Sequence, residues 1–276
     1  MLSILFGLSL ALAPAHVTPP TVAALPADTG HFEAVGGIQL YYYVLGGAHR
    51  DTIVLVHGGP GLSSSYLQKD LDFVAARHTV VLYDQRGSGR STLVDDSTKI
   101  SIALHVADLD AVLRRFRIRR ANLYGHSWGA GLVANYIAAH PLTVRRAILG
   151  SAIPPRRSPY MTQFGTQLNA WADSATRTRL NELARARRNA TDPVAACRAY
   201  WRLFIRGYFA DTSTIKTMRS DICDDPPASL SNHVNAWTLG PEGSWDWLRG
   251  AGHFPMVERP KATLAAIETA FFSGGK

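Results

Sequence analysis

One stretch of the chain combines residue types and spacing that could build a nucleophile: Gly125-His126-Ser127-Trp128-Gly129. The apolar run 121–124 before it reads as a buried strand, and the stretch 130–140 after it reads as a helix. A G-x-S-x-G pentapeptide at a strand-to-helix turn forms a nucleophile elbow. Its glycines let the chain bend, and the serine hydroxyl projects above the sheet edge over a helix N-terminus. The plainer alternative for Ser127 is an ordinary helix N-cap. Acyl transfer from such a serine needs a base for its proton and donors for the oxyanion. His253, in the Gly-x-His-x-Pro turn of Ala251-Gly252-His253-Phe254-Pro255 where a loop can present the imidazole, is the candidate base. The backbone N–H of Trp128, opening the helix after the serine, is the first candidate oxyanion donor.

The elements that must position these groups follow from the hydrophobic pattern. Alternation over 31–35 and 38–44 around Gly36-Gly37 predicts a hairpin. The β-branched runs 52–56 and 79–83 predict strands buried on both faces. Helices are expected over 64–77 and 102–116, the latter with Val106, Leu109, Leu113 and Phe116 on one face, then a strand over 147–149. Strands alternating with helices imply a parallel sheet wrapped on both sides. From 153 to 246 the text turns to Arg, Trp and Tyr with helical periodicity and no strand-like run, which predicts an inserted helical cap. An amphipathic helix is expected over 262–272. The expected organisation is a core over 30–152, the cap over 153–246 and the rest of the core over 247–276. Neither internal repeats nor low-complexity tracts interrupt it.

Four ordered segments resemble the α/β-hydrolase fold family, and within it most closely the proline iminopeptidase group: His57-Gly58-Gly59-Pro60-Gly61, the loop 84–91, the Gly125-to-Gly129 pentapeptide and Ala251-to-Pro255. The resemblance implies the α/β class with a mostly parallel sheet, helices around it and a helical cap. It implies a serine hydrolase working through an acyl-enzyme, most like an aminopeptidase for N-terminal proline, without cofactor or metal. It also assigns the second oxyanion donor to the N–H of Gly59, with Gly58 as second choice, since only glycine lets the backbone approach a substrate this closely. The Gly59-Pro60 bond is a candidate for the cis form. Asp84 and Arg86, at the top of a strand, are expected to brace loops rather than to react.

This sequence departs from the family pattern in two places. The family carries its catalytic Asp on a core strand between cap and histidine, yet no apolar strand run lies between Trp237 and His253. Three readings remain: a truncated copy with part of the sheet lost, a natural short form using Asp246 as substitute acid, or a non-catalytic remnant or binding protein. Loss of the sheet's last strands would leave 147–149 as an open apolar edge prone to self-association. The second departure concerns the substrate amine. Prolyl-specific members carry a glutamate after a Trp-x-x-Trp pair in a cap helix, and the comparable stretch from Ala199 to Arg206 has none. Glu182, Asp221, Asp224 and Asp225 are the remaining candidate amine anchors, and an esterase or broader amidase stays open. The expected partner is a small-molecule or short-peptide substrate.

Composition bounds the rest. With 276 residues, 46% hydrophobic and 18% charged, the chain suits a single globular domain carrying an insert. The net charge of +8 comes from arginine clusters without an aromatic-interleaved groove, which read as solvated faces rather than a nucleic-acid surface. Two cysteines exclude a disulfide framework or Cys-rich metal site. The apolar run 1–15, ending in Ala13-Pro14-Ala15, resembles a secretory signal, followed by a linker over 16–29. It is too short for an ordinary membrane span. Secreted or periplasmic placement is expected, with cytoplasmic as the alternative. Export would permit a Cys197–Cys223 disulfide, and two buried thiols are the other reading.

Overall fold

The computed structural model describes residues 28–47, 51–153, 160–223 and 253–272. The β-branched runs form the centre of a six-stranded sheet: β1 (Asp28–Glu33), β2 (Gln39–Leu45), β3 (Thr52–Val56), β4 (Thr79–Tyr83), β5 (Ala121–His126) and β6 (Val144–Gly150), ordered β1-β2-β4-β3-β5-β6. The β4-β3-β5-β6 portion is parallel, while β1 and β2 form an antiparallel hairpin whose second strand pairs with β4. Such a sheet must be covered on both faces. Strand alternation assigns Val54, Val56, Val81 and Leu123 to one apolar cluster and Ile53, Leu55, Val80 and Leu82 to the other.

The helices, in chain order, are α1 (Ser65–Asp70), α2 (Asp72–Ala75), α3 (Ile102–Arg115), α4 (Trp128–Ala139), α5 (Tyr160–Ala170), α6 (Ser174–Ala186), α7 (Pro193–Phe204), α8 (Pro255–Glu258) and α9 (Pro260–Phe271). Val106, Leu109 and Val112 of α3 and Leu132 and Val133 of α4 fill the first cluster; Leu67, Val74, Ile267 and Phe271 of α1, α2 and α9 fill the second. Each such side chain contributes about 1.5–3 kcal/mol by leaving water.

Three local expectations are corrected. The first strand begins at Asp28, inside the expected linker, and ends at Glu33, so Val35 lies in the turn and is exposed. That turn is closed by Ala34 N–H donating to Ile38 O (2.7 Å), with Gly36 and Gly37 at φ +73° and +72°, where residues with a Cβ are strained. The single helix expected over 64–77 is broken at Leu71 (φ −117°, ψ 16°). Just before the break, the Asp70 carboxylate accepts from Arg219 N–H (2.9 Å) and Ser220 Oγ (2.6 Å). The elbow helix starts at Trp128 rather than Ala130.

Residues 160–217 fold as α5, α6 and α7 followed by 3₁₀ turns at Ile205–Tyr208 and Thr212–Thr217, with no strand among the described residues. A disulfide joins Cys197 of α7 to Cys223. Among the described residues β6 is the outer parallel strand. α9 lies against it, with Arg146 Nη1 donating to Ala270 O (2.7 Å). Arg114, Arg115, Arg117, Arg119 and Arg120 are exposed. No described helix is long and apolar enough to cross a membrane. The stretches expected as signal segment (1–15) and missing sheet (237–252) lie outside the described residues.

Candidate active site

β5 runs buried along its whole length into Ser127, which turns the chain into α4 at φ 56°, ψ −118°. This is a conformation that L-residues rarely occupy and that stores about 1–3 kcal/mol. The bend is therefore carried by the serine itself. The flanking glycines do something else: they make room. A Cβ on Gly129 would stand 2.2 Å from Val56 O, and one on Gly125 would stand 2.5 Å from Gly129 O. Close approach of α4 to β3 and β5 requires both. Ser127 occupies the N-cap position of α4, yet its side chain makes no capping hydrogen bond. Its backbone is fixed instead, with N–H donating to Gly150 O (2.9 Å) at the end of β6.

The loop after β3 lies directly against the serine: a Cβ on Gly58 would come within 3.0 Å of Ser127 Cβ. Gly58 is held from both sides. Its N–H donates to Tyr66 Oη (2.7 Å), and its carbonyl faces His57 Nδ1 at 2.8 Å. Because Gln85 N–H donates to His57 Nε2 (3.0 Å), the His57 proton sits on Nδ1 and is donated to Gly58 O. The trans peptide that carries this carbonyl also carries the Gly59 N–H on its opposite edge. His57 thus sets the direction of that N–H. Gly59 is exposed, has φ +127°, and precedes a cis Pro60. The Gly58 N–H, second choice as oxyanion donor, is already committed to Tyr66. Gln85 completes the frame, its Nε2 donating to His57 O (2.7 Å) while its Oε1 accepts from the fully buried Trp128 Nε1 (2.9 Å).

His253 stands at the start of the C-terminal helical segment, its backbone pinned at both polar groups. Its N–H donates to Tyr208 O (2.6 Å), and its carbonyl accepts from His126 Nε2 (2.7 Å). Its ring packs among His126 (centroids 4.9 Å apart), Tyr208 (4.8 Å) and Phe254 (5.4 Å). Burial, reinforced by neighbouring His126, pushes its pKa well below the ordinary 6.5, so the imidazole is neutral. Ser127 and His253 thus converge on His126, the chain neighbour of one and the hydrogen-bond partner of the other. No hydrogen bond between Ser127 Oγ and the His253 ring is present among the described residues. Asp246, the candidate substitute acid, lies outside them, as do Asp224 and Asp225.

The loop after β4 is braced by charge. Asp84 accepts from Ser64 N–H (2.8 Å), Ser64 Oγ (2.6 Å) and Arg90 N–H (2.8 Å). Arg86 forms a bidentate pair with Asp108 of α3, both contacts at 2.6 Å, with each side chain about 1% exposed. These two residues hold loops, the role that the family resemblance implied. Of the remaining amine-anchor candidates, Glu182 pairs with Arg179 (2.9 Å), and Asp221 pairs with Arg198 (2.6 Å). Among the described residues no group of three His, Cys, Asp or Glu side chains is arranged to hold a metal ion.

Sequence reasoning missed Tyr66, His126, His57, Gln85 and Tyr208. His57 and Gln85 stand inside two of the quoted segments, and a histidine inside the pentapeptide was a further visible signal. Its partner Tyr66, 60 residues away, carried none.

The chain matches the alpha/beta hydrolase fold family over residues 51–244. It is 34% identical over 125 residues to the proline iminopeptidase of Lactiplantibacillus plantarum, covering 44% of each chain. To the proline iminopeptidase of Xylella fastidiosa it is 32% identical over 145 residues, covering 51% of this chain and 43% of that protein. The matched part is thus less than half the length of these curated relatives. Among solved structures, an alpha/beta fold family hydrolase from Bacillus anthracis superimposes with a TM-score of 0.65 at 13% identity, covering 88% of this chain and 99% of the other. A proline iminopeptidase-related protein from Thermus thermophilus does so with a TM-score of 0.56 at 19% identity, covering 90% and 99%. At these identities the structural likeness speaks for the fold alone.

Proposed function

Because the chain belongs to the α/β-hydrolase fold family, we propose that it is a serine hydrolase whose nucleophile is Ser127 and whose substrates are short peptides or small amides and esters. The observation that carries this reading is the conformation of Ser127: a strained serine at a helix start whose hydroxyl caps nothing. In the proposed reaction, neutral His253 takes the Ser127 proton as Oγ attacks the substrate carbonyl carbon. The resulting oxyanion accepts hydrogen bonds from the backbone N–H groups of Trp128 and Gly59. Collapse expels the amine or alcohol, which leaves with the proton from His253, and water then repeats the sequence on the acyl-enzyme.

Asp246 is proposed as the acid that orients His253. Loss of that member in a serine protease costs about four orders of magnitude in turnover. Asp246→Asn should lower kcat on that scale, and an unchanged kcat removes Asp246 from the mechanism. The nucleophile is tested with a fluorophosphonate probe: labelling should occur and disappear in Ser127→Ala. Absence of labelling in the wild type favours the non-catalytic binding reading.

The similarity to proline iminopeptidases supports an aminopeptidase that releases N-terminal proline. Two observations favour an esterase or broader amidase as the second reading. The aromatic stretch of α7 carries no glutamate, and Glu182 and Asp221 are already paired with arginines. Turnover of proline p-nitroanilide against p-nitrophenyl acetate separates the two.

A further inference from the structure

Two buried polar side chains beside Ser127, Tyr66 and His126, have no role in the chemistry just described, and each is only 1% exposed. We infer that they form a one-way hydrogen-bond relay that holds the oxyanion loop in register with the His253 turn, and that both are positioning residues for the reaction. This inference rests on the serine-hydrolase reading.

The direction of the relay is fixed by its ends. Gly58 N–H can only donate, and it donates to Tyr66 Oη at 2.7 Å. The carbonyl of His253 can only accept, so His126 Nε2, 2.7 Å away, carries a proton. A neutral imidazole protonated at Nε2 has a bare Nδ1, which must accept the proton of Tyr66 Oη at 2.7 Å. The chain therefore reads Gly58 N–H to Tyr66 O–H to His126, then Nε2–H to the carbonyl of His253. Every donor and acceptor along it is used once.

Only a neutral His126 permits this. An imidazolium would donate from Nδ1 to Tyr66, whose oxygen already accepts from Gly58, and would leave the phenolic hydrogen unpaired. Burial lowers the His126 pKa to about 4, while its bond to the His253 carbonyl pushes weakly the other way. Its polar partners among the described residues are Tyr66 from α1 and the His253 backbone; Phe254 supplies an apolar face 5.6 Å away.

The relay ties together the two parts whose relative placement the reaction needs. One end fixes Gly58, the residue before the proposed oxyanion donor. The other fixes the peptide that carries the proposed base. Displacements of about 1 Å in such a constellation can cost about a hundredfold in rate.

Tyr66→Phe removes the central oxygen and keeps the ring. It is expected to lower kcat about tenfold to a hundredfold with KM within about twofold, and to weaken a trifluoromethyl ketone inhibitor, an oxyanion mimic, in parallel. Rates are taken per active site, titrated with the fluorophosphonate, so that loss of folded protein does not register. His126→Asn is the second variant: its short amide can face Tyr66 but not reach the His253 carbonyl, and kcat should fall here as well. An independent arm reads the relay without turnover. Imidazole ¹⁵N shifts should report the Nε2–H tautomer of His126, and amide exchange at Gly58 should speed up in Tyr66→Phe. Unchanged kcat and inhibitor affinity in both variants overturn the positioning role, and an Nδ1–H tautomer overturns the relay. A wild type that the probe does not label overturns the hydrolase reading and the positioning role with it, while tautomer and exchange still decide whether the relay exists.

Discussion

The loops after β4 and after β3 both rest on buried polar side chains, but one is held by charges and the other by neutral groups. Behind β4, Asp84 gathers Ser64 and Arg90, and Arg86 is clamped by Asp108. Behind β3, Gly58 is held by His57 and Tyr66, and the chain of bonds continues through His126 to His253. A charged pair in a dry interior is costly to break, because the surviving ion is left unpaired. That suits a brace, which must hold. A neutral relay is cheaper to break and carries no net charge, which suits the part of the molecule proposed to present N–H groups and a neutral base to a reacting carbonyl.

This contrast can be broken from either side. The largest effect is expected from Asp108→Ala, which strands the Arg86 guanidinium and should cost about 3–5 kcal/mol in denaturant unfolding, while the rate per titrated active site stays close to wild type. Tyr66→Phe should invert that pattern. Its stability loss should be about 1–3 kcal/mol, the cost of buried groups left unsatisfied, and its loss should fall on kcat. Equal stability costs for the two substitutions would dissolve the distinction.

The pH responses sharpen it. His105, buried beside the charged brace in a T-shaped contact with Trp128, is lowered to about 3, by burial first and then by Arg86 and His57. Between about pH 6.5 and pH 3 its unfolded form binds the extra proton, so its contribution to stability is full above 6.5 and declines as pH falls. His105→Gln should flatten the stability–pH curve over that window by up to one proton. Asp70 and Asp108, raised chiefly by burial, act in the opposite sense in both proteins and cancel in the difference. The smallest effect expected is a shift in rate. The acid limb of kcat/KM should have its midpoint below pH 6.5, since burial keeps His253 neutral there. A midpoint above 6.5 would mean instead that a carboxylate, as proposed for Asp246, sits against the ring and offsets that burial.

The parallel core was legible because it follows from a local signal. β-branched runs read as strands, and the expected 52–56 and 79–83 match the observed elements. One of the corrected elements lies beside a contact with distant residues. The break at Leu71 follows Asp70, whose carboxylate is claimed from 149 and 150 positions away by Arg219 and Ser220. No periodicity within residues 64–77 could announce that. At the site, Ser127, Trp128, Gly59 and His253 stood out through motif and order. Tyr66 and Gln85 did not, because a tyrosine on an apolar helix face and a glutamine in a loop are ordinary until the fold brings them to His126 and His57.

The backbone angles of Ser127 carry one more consequence. At φ 56° and ψ −118° a glycine would sit without strain, and a serine gives up about 1–3 kcal/mol of folding free energy. With its hydroxyl capping nothing, that serine gains no stability in return. Random substitution screened for thermal resistance alone should therefore enrich Ser127→Gly, and a screen for turnover should never recover it. With Ser127 as the proposed nucleophile, position 127 is where the demands of folding and of use on this chain diverge.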